Sequence, residues 1–220
     1  MKLDFVKISP SQNMTALITS EVHPSDYATV GNMIMDYEYI HAEQAGFITK
    51  PTDDGSILRL EMSGGEFCGN AVLAAGAYCI YKGLSKEEHF KIEASGALFP
   101  LACHAKVKAP GLFEAEAEMP QPLSMDDTTF HIGAKSISGA LIRLGGITHF
   151  VTDFWPNNDD FPSILETIKE TVHDKAIGII PYRHVNDEAY EIRPFIYVTE
   201  RGVHFSSVLA VREHWRLEFI

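Results

Sequence analysis

Cys68 stands in the run Glu66-Phe67-Cys68-Gly69-Asn70-Ala71, after Met62-Ser63-Gly64-Gly65 and before a nearly polar-free stretch, Val72 to Tyr81. The residues Ile57 to Glu61 read as a strand, the two glycines as a turn, and the apolar stretch as a helix that the thiol opens. At a helix N-terminus the unpaired N–H groups and the dipole favour an anion. The spacing therefore predicts a lowered pKa for Cys68, a thiolate that acts as a base, and a seat for a substrate carboxylate on the same amides. A free cysteine is also commonly a small buried hydrophobe, and position alone leaves both readings open. Cys79, inside the helix, and Cys103, in the alternating run Leu101 to Val107, read as core residues.

Strands are expected at Leu3 to Ile8, Met14 to Thr19, Ala45 to Thr49 and Ile57 to Glu61. A helix opens at His23-Pro24-Ser25-Asp26, with Tyr27, Val30, Gly31 and Ile34 on one face. Further strands are expected near His89 to Ala94, Leu98 to Val107 and Leu112 to Glu118. The Cys68 helix is apolar on every side, so it must be enclosed, and a sheet wrapped around it is the natural solution. Met119-Pro120-Gln121-Pro122 breaks the pattern, and the second half of the chain repeats the first. Ile147 to Phe154 parallels Asn13 to Ser20, and the helix Phe161 to Ile168 parallels the one after Pro24. Ala176 to Pro181 matches Ala45 to Thr49, and Tyr190 to Thr199 matches Ile57 to Ser63. Two lobes are implied, residues 1–119 and 120–220, the second incomplete. The counterpart of Cys68 belongs after Ser206-Ser207, heading a second helix, but the chain runs straight into Val208-Leu209-Ala210-Val211. Paired copies would bring two helix N-termini face to face across a cleft, each with a thiol. That geometry suits moving a proton from one face of a carbon to the other.

The 220 residues are 45% hydrophobic, enough for a sizeable core. A net charge of −12 with a pI near 5.2 argues against nucleic acid and anionic membranes, which need clustered Lys and Arg; a small-molecule substrate fits better. Three cysteines, no CxxC pair and no secretory apolar region fit a reducing cytoplasm. No apolar run approaches a membrane span. The ten histidines are scattered, and no two stand at i, i+4 with a glutamate between, so no metal site is expected. No glycine-rich phosphate loop is present either.

EFCGNA at 66–71, SQNMTALI at 11–18, EQAGFI at 43–48 and THFV at 148–151 together resemble the diaminopimelate epimerase-like fold family. Within it they resemble the histidine racemases of bacterial staphylopine-type metallophore biosynthesis. The resemblance implies an α/β (α+β) protein of two pseudo-symmetric strand-rich lobes, each a barrel-like sheet around a central helix, with the active site in the cleft. It implies inversion at the α-carbon of an amino acid, histidine the favoured substrate, without pyridoxal or any other cofactor. One thiolate removes the proton and a second thiol returns one from the opposite face; relatives are often dimers.

Carried over by motif, Cys68 is the first catalytic cysteine, Gly69 and Asn70 hold the substrate carboxylate, and Glu66 supports the motif. Asn13 matches a substrate-binding asparagine, although an Asx-turn residue is its other reading. Gln44 matches a glutamine beside the substrate, against the reading of an ordinary loop residue. His149 sits where the family has a histidine near the site; by itself it reads as a satisfied core histidine. Glu200 and Arg201 match a charged pair that holds substrate, or form a solvated ion pair. The family's second motif, Cys-Gly-Ser/Thr-Gly, is absent. Either residues between Ser207 and Val208, and others later, are missing from this sequence, or the protein is a single-thiol relative. The other readings are a diaminopimelate epimerase or another isomerase of the same fold, and a relative that binds an amino acid without turning it over.

Overall fold

In the first half of the chain, short β-branched and apolar runs form a sheet whose strand order follows the sequence. This computed structural model describes residues 2–10, 13–186, 189–199, 202–205 and 209–212. Phe5–Ile8 (β1) pairs antiparallel with Thr15–Ile18 (β2), every residue of which is buried. Pro24 sets a 3₁₀ turn that leads into helix α1, Tyr27–Met35, whose Val30, Gly31 and Ile34 are buried as their spacing predicts. The helix returns the chain so that Gln44–Thr49 (β3) lies parallel to β2, with Thr15 opposite Gln44, and Tyr27 stacks on Phe47. Ser56–Met62 (β4) then runs antiparallel to β3.

Helix α2, Gly69–Tyr81, carries the chain from β4 to His89–Ala94 (β5), which is parallel to β4. Leu101–Ala109 (β6) and Leu112–Ala117 (β7) complete the sheet. Eight of the thirteen residues of α2 are buried, and the helix packs against β2, β3, β4, β6 and β7. Its repeated alanines let strands approach from several sides. It ends where Gly83, at φ +65°, allows Leu84 N–H to reach the Cys79 carbonyl and Gly83 N–H the Ile80 carbonyl.

The chain divides into two compact units, Met1–Gln121 and Pro122–Ile220. The second holds Ser124–Ile132 (β8), Lys135–Leu144 (β9), Ile147–Thr152 (β10), helix α3 at Asp160–Lys169, Ala176–Asn186 (β11), Ala189–Ile192 (β12), Phe195–Val198 (β13), Gly202–Phe205 (β14) and Leu209–Arg212 (β15). Its main sheet runs β14-β13-β11-β10-β9-β8, with β12 and β15 paired off that path. Phe130, Phe150, Phe161, Ile164, Ile168, Ile179 and Phe195 form its core. The run β9-β10-β11-β13 repeats β1-β2-β3-β4: antiparallel, parallel across a helix, then antiparallel. Both units are thus α+β and rich in strands.

The larger departures from the sequence expectation have identifiable causes. Leu98 and Phe99 are exposed in a loop, because Gly96 turns the chain at φ +75° and Pro100 has no N–H to give a ladder; β6 begins at Leu101. The hairpin β8–β9, where no element is expected from the sequence, is a pair of full-length antiparallel strands, with β8 exposed along most of its length. The expected strand Tyr190 to Thr199 is broken at Arg193-Pro194, and only β13 stands where β4 stands in the first unit. Leu209–Arg212, read from the sequence as the far flank of the place where a second helix head belongs, is strand β15 paired with β12. Residues 206–208, where the second thiol is expected, lie outside the described residues.

Glu93, buried on β5, ties the first sheet to the β3–β4 turn. Its carboxylate accepts from Thr52 and Asp53 N–H, from Thr52 Oγ1 and, at 2.9 Å, from Arg59. Burial alone would raise this carboxyl; the donors from Asp53, Arg59 and Thr52 outweigh it and hold the group below the ordinary value. A depressed carboxyl adds stability that is complete above the unfolded value of about 4.3 and disappears as pH falls through the folded one. Glu93→Gln is therefore expected to lower unfolding free energy at pH 7 by about 1–3 kcal/mol and to lessen the loss of stability below pH ~4. Urea titrations across pH check both.

Candidate functional site

Residues 62–71 place a thiol at the tip of the enclosed helix. Gly65, at φ +77°, turns the chain out of β4, and its N–H donates to the Met62 carbonyl at 2.9 Å. Ser63 N–H donates to the Ala45 carbonyl at 3.1 Å, which fixes the turn to β3. A Cβ on Gly31 would lie 2.4 Å from the Ser63 Cβ, so only glycine lets α1 sit this close beneath the turn. Cys68 is the N-cap of α2 in extended conformation, and its carbonyl accepts the first intrahelical bond, from Val72 N–H at 3.0 Å.

The sulfur donates to the side-chain oxygen of Gln44. Cys68 is half-buried, Gln44 stands at the first position of β3, and Asn13 lies two residues before its parallel partner Thr15. The register of β2 on β3 thus brings Asn13 and Gln44 to the end of the sheet where β4 delivers Cys68. Gly69 and Asn70 form the first turn of α2, and the Gly69 position faces the Met119 sulfur. The first unit therefore gathers Asn13, Gln44, Cys68, Gly69 and Asn70.

The expected depression of the Cys68 pKa is overturned. Desolvation pushes the thiol up to about 12; the Ala71 N–H opposes this, the Glu66 carboxylate adds to it, and the Asn70 N–H opposes it more weakly. The helix amides act in the direction expected of them, but removal of water from the sulfur outweighs them. Glu66 is itself buried, and its Oε2 has no hydrogen-bond partner. Cys79 and Cys103 are buried as expected, and burial raises each to about 12, the first further through the second.

His149 lies mid-strand in β10 of the second unit, opposite Gly178 of β11. A Cβ on Gly178 would come within 2.1 Å of His149 Nδ1, so the ring lies over the glycine. That nitrogen is buried without a partner, and desolvation pushes the imidazole down to about 4, so it is neutral at physiological pH. The expectation of a satisfied core histidine fails on this atom. Glu200 and Arg201 lie outside the described residues. Among the described residues no group of three or more His, Cys, Asp or Glu side chains is arranged to hold a metal, and no helix is long and apolar enough to cross a membrane.

Sequence reasoning missed two residues. Glu43 accepts from Asn13 Nδ2 at 2.8 Å and Met14 N–H at 3.0 Å, leaving Asn13 Oδ1 buried and unpartnered. Its only signal was its place beside Gln44. Ser95, buried on the first residue after β5, bonds the turn that carries Cys68 and gave no signal.

Comparison with known proteins gives the relationship. A family model described as histidine racemase CntK N-terminal domain matches residues 2–205. A histidine racemase of Fusobacterium nucleatum is 29% identical over 205 residues, covering 91% of this chain and 73% of the relative. One of Staphylococcus aureus is 29% identical over 203 residues, covering 90% and 72%. Among solved structures, a hydroxyproline epimerase from Agrobacterium vitis has a TM-score of 0.67 at 9% identity, over 94% of this chain and 73% of the other. A probable proline racemase from Agrobacterium radiobacter has a TM-score of 0.65 at 10% identity, over 92% and 72%. These structures share the fold, and the family match spans nearly the whole sequence: the chain belongs to the histidine racemase family that this N-terminal-domain model describes.

Proposed function

We propose that this protein is a cofactor-independent amino-acid racemase, an isomerase with histidine as its favoured substrate and Cys68 as one of two proton-transfer groups. The observation that carries the reading is the Cys68 sulfur at the start of the enclosed helix α2, in contact with Gln44 and near the Asn70 and Ala71 amides. In this reading the diaminopimelate epimerase-like architecture extends to the whole fold, and the product D-amino acid serves metallophore synthesis. The substrate carboxylate is received by the amides at Gly69 and Asn70, where the helix dipole favours an anion. Asn13 and Gln44 flank the α-carbon, with His149, Glu200 and Arg201 the further substrate contacts.

The thiol pushed up to about 12 gives Cys68 its first role. In the free protein it holds its proton and is the donor: a second base takes the α-proton, the electron pair passes into the carboxylate as an enediolate, and Cys68 S–H delivers a proton to the opposite face. Cys68 is left as the thiolate, ready to abstract in the reverse direction. The second base is neither Cys79 nor Cys103, the only other cysteines of this sequence, since both are buried in the first unit. Placing the reacting carbon on preformed amides in a dry site supplies the carbanion stabilisation that a pyridoxal ring provides elsewhere.

Two outcomes test the reading. Cys68→Ser is expected to reduce both racemisation of L-histidine and α-deuterium incorporation in D₂O by on the order of 10²–10⁴-fold. Deuterium uptake by the variant at the normal rate, read by NMR with diaminopimelate and proline as parallel substrates, discards Cys68. Glu66→Gln removes a like charge that raises the thiol, so the pH limb for iodoacetamide modification of Cys68 is expected to move to lower pH. An unmoved limb discards the electrostatic link.

A further inference from the structure

We propose that Ser95 is a positioning residue for Cys68, acting through the backbone turn that brings the thiol to the start of α2. Its hydroxyl donates to the Glu66 carbonyl at 2.9 Å and accepts from Met62 N–H at 3.0 Å. One buried oxygen thereby joins the last residue of β4 to the residue two before the thiol. Ser95 is 4% exposed, and its own N–H donates to the Leu60 carbonyl at 2.8 Å, so the hydroxyl is anchored on the sheet.

The need for such a clamp lies in the sequence between the two bonded groups. Gly64 and Gly65 form a conformationally free hinge between strand and helix. The Ser63–Ala45 and Gly65–Met62 bonds hold the first half of the turn. The Ser95–Glu66 bond crosses the hinge and fixes the second half, which carries both the Glu66 carboxyl and the Cys68 sulfur. A hydroxyl suits this place because a single atom donates and accepts at once. With the methyl of alanine there, two buried backbone groups lose their partner, and the segment 66–68 is free to turn the sulfur away from Gln44 and the helix amides.

The inference rests on the reading of Cys68 as a proton-transfer group, and its test has a readout independent of turnover. Ser95→Ala and Ser95→Thr are compared in the full chain by kcat and KM for histidine and by the pH dependence of Cys68 alkylation, followed on the Cys68 peptide by mass spectrometry. Ser95→Ala is expected to lower kcat by on the order of 10²-fold with KM little changed, the loss that comes from misplacing a reacting group by about 1 Å. It is also expected to displace the alkylation profile, and Ser95→Thr, which keeps the hydroxyl, to restore both. A wild-type kcat and profile in Ser95→Ala per mole of folded protein, or a threonine variant as impaired as the alanine one, overturns the proposal. If Ser95→Ala does not fold, Ser95→Cys, with its weaker donor, is judged by the same two measures. Should the unaltered protein fail to turn over histidine, the proposed function falls while the alkylation comparison still decides the role of Ser95.

Discussion

The first unit is organised by the burial of α2. The helix is mostly buried from Ala71 onward, while its first turn at Gly69 and Asn70 is part-exposed, so the unpaired N–H groups there are open to an acceptor or an anion. The chain ends β4 in a glycine turn and sets Cys68 at the N-cap, where its side chain makes no cap hydrogen bond and its sulfur donates instead to Gln44. The strands that enclose the helix also deliver the flanking residues. Because β2 and β3 are parallel and β4 runs back along β3, the starts of the first two and the end of the third share one edge. The small residues answer the same constraint: alanines along α2 admit the strands, and Gly31 admits α1 beneath the turn.

Burial acts on the two units' titratable groups in one direction, toward the uncharged form. The Cys68 acid is pushed up to about 12 and the His149 base down to about 4, so both are neutral at physiological pH. An amino-acid zwitterion carries both signs, and the helix amides, with the unpartnered oxygens of Asn13 and Glu66, offer complementary partners. This is the electrostatic content of the proposed racemase: donors and acceptors fixed by the fold of the first unit receive the substrate, and Cys68 holds its proton until it is delivered.

Duplication shows in topology more than in side chains. Strands β9, β10, β11 and β13 repeat the pairing of β1 to β4, each set with a helix between its parallel pair. Strand β11 opens on Ala176 where β3 opens on Gln44, and α3 buries Phe161, Ile164, Leu165 and Ile168 at the same spacing as the buried face of α1, with leucine where α1 has Gly31. The packing scheme is shared while the chemistry around Cys68 belongs to the first copy. The pattern was readable as a repeat because hydrophobic spacing records the strand–helix–strand rhythm even where identities have diverged.

Local periodicity and punctuation carried most of the elements: the amphipathic face of α1, the polar-free run of α2, the glycine turn before Cys68 and the break near Pro120 all come from short-range sterics and burial. The same local information identified Cys68 as the head of a helix and Cys79 and Cys103 as core. It failed where the deciding partner is remote in sequence. The β8–β9 hairpin, the break at Pro194 and the pairing of β15 depend on which strands lie alongside. The thiol's displacement upward, the unpartnered nitrogen of His149, the hold of Glu43 on Asn13 and that of Ser95 on Glu66 depend on atoms distant along the chain or on exclusion of water. Sequence by itself determined which residues head, line and punctuate the elements, because those preferences are properties of neighbouring residues. Tertiary structure alone decided the protonation of Cys68 and the company it keeps, because desolvation and cross-strand register exist only once the chain has closed on itself.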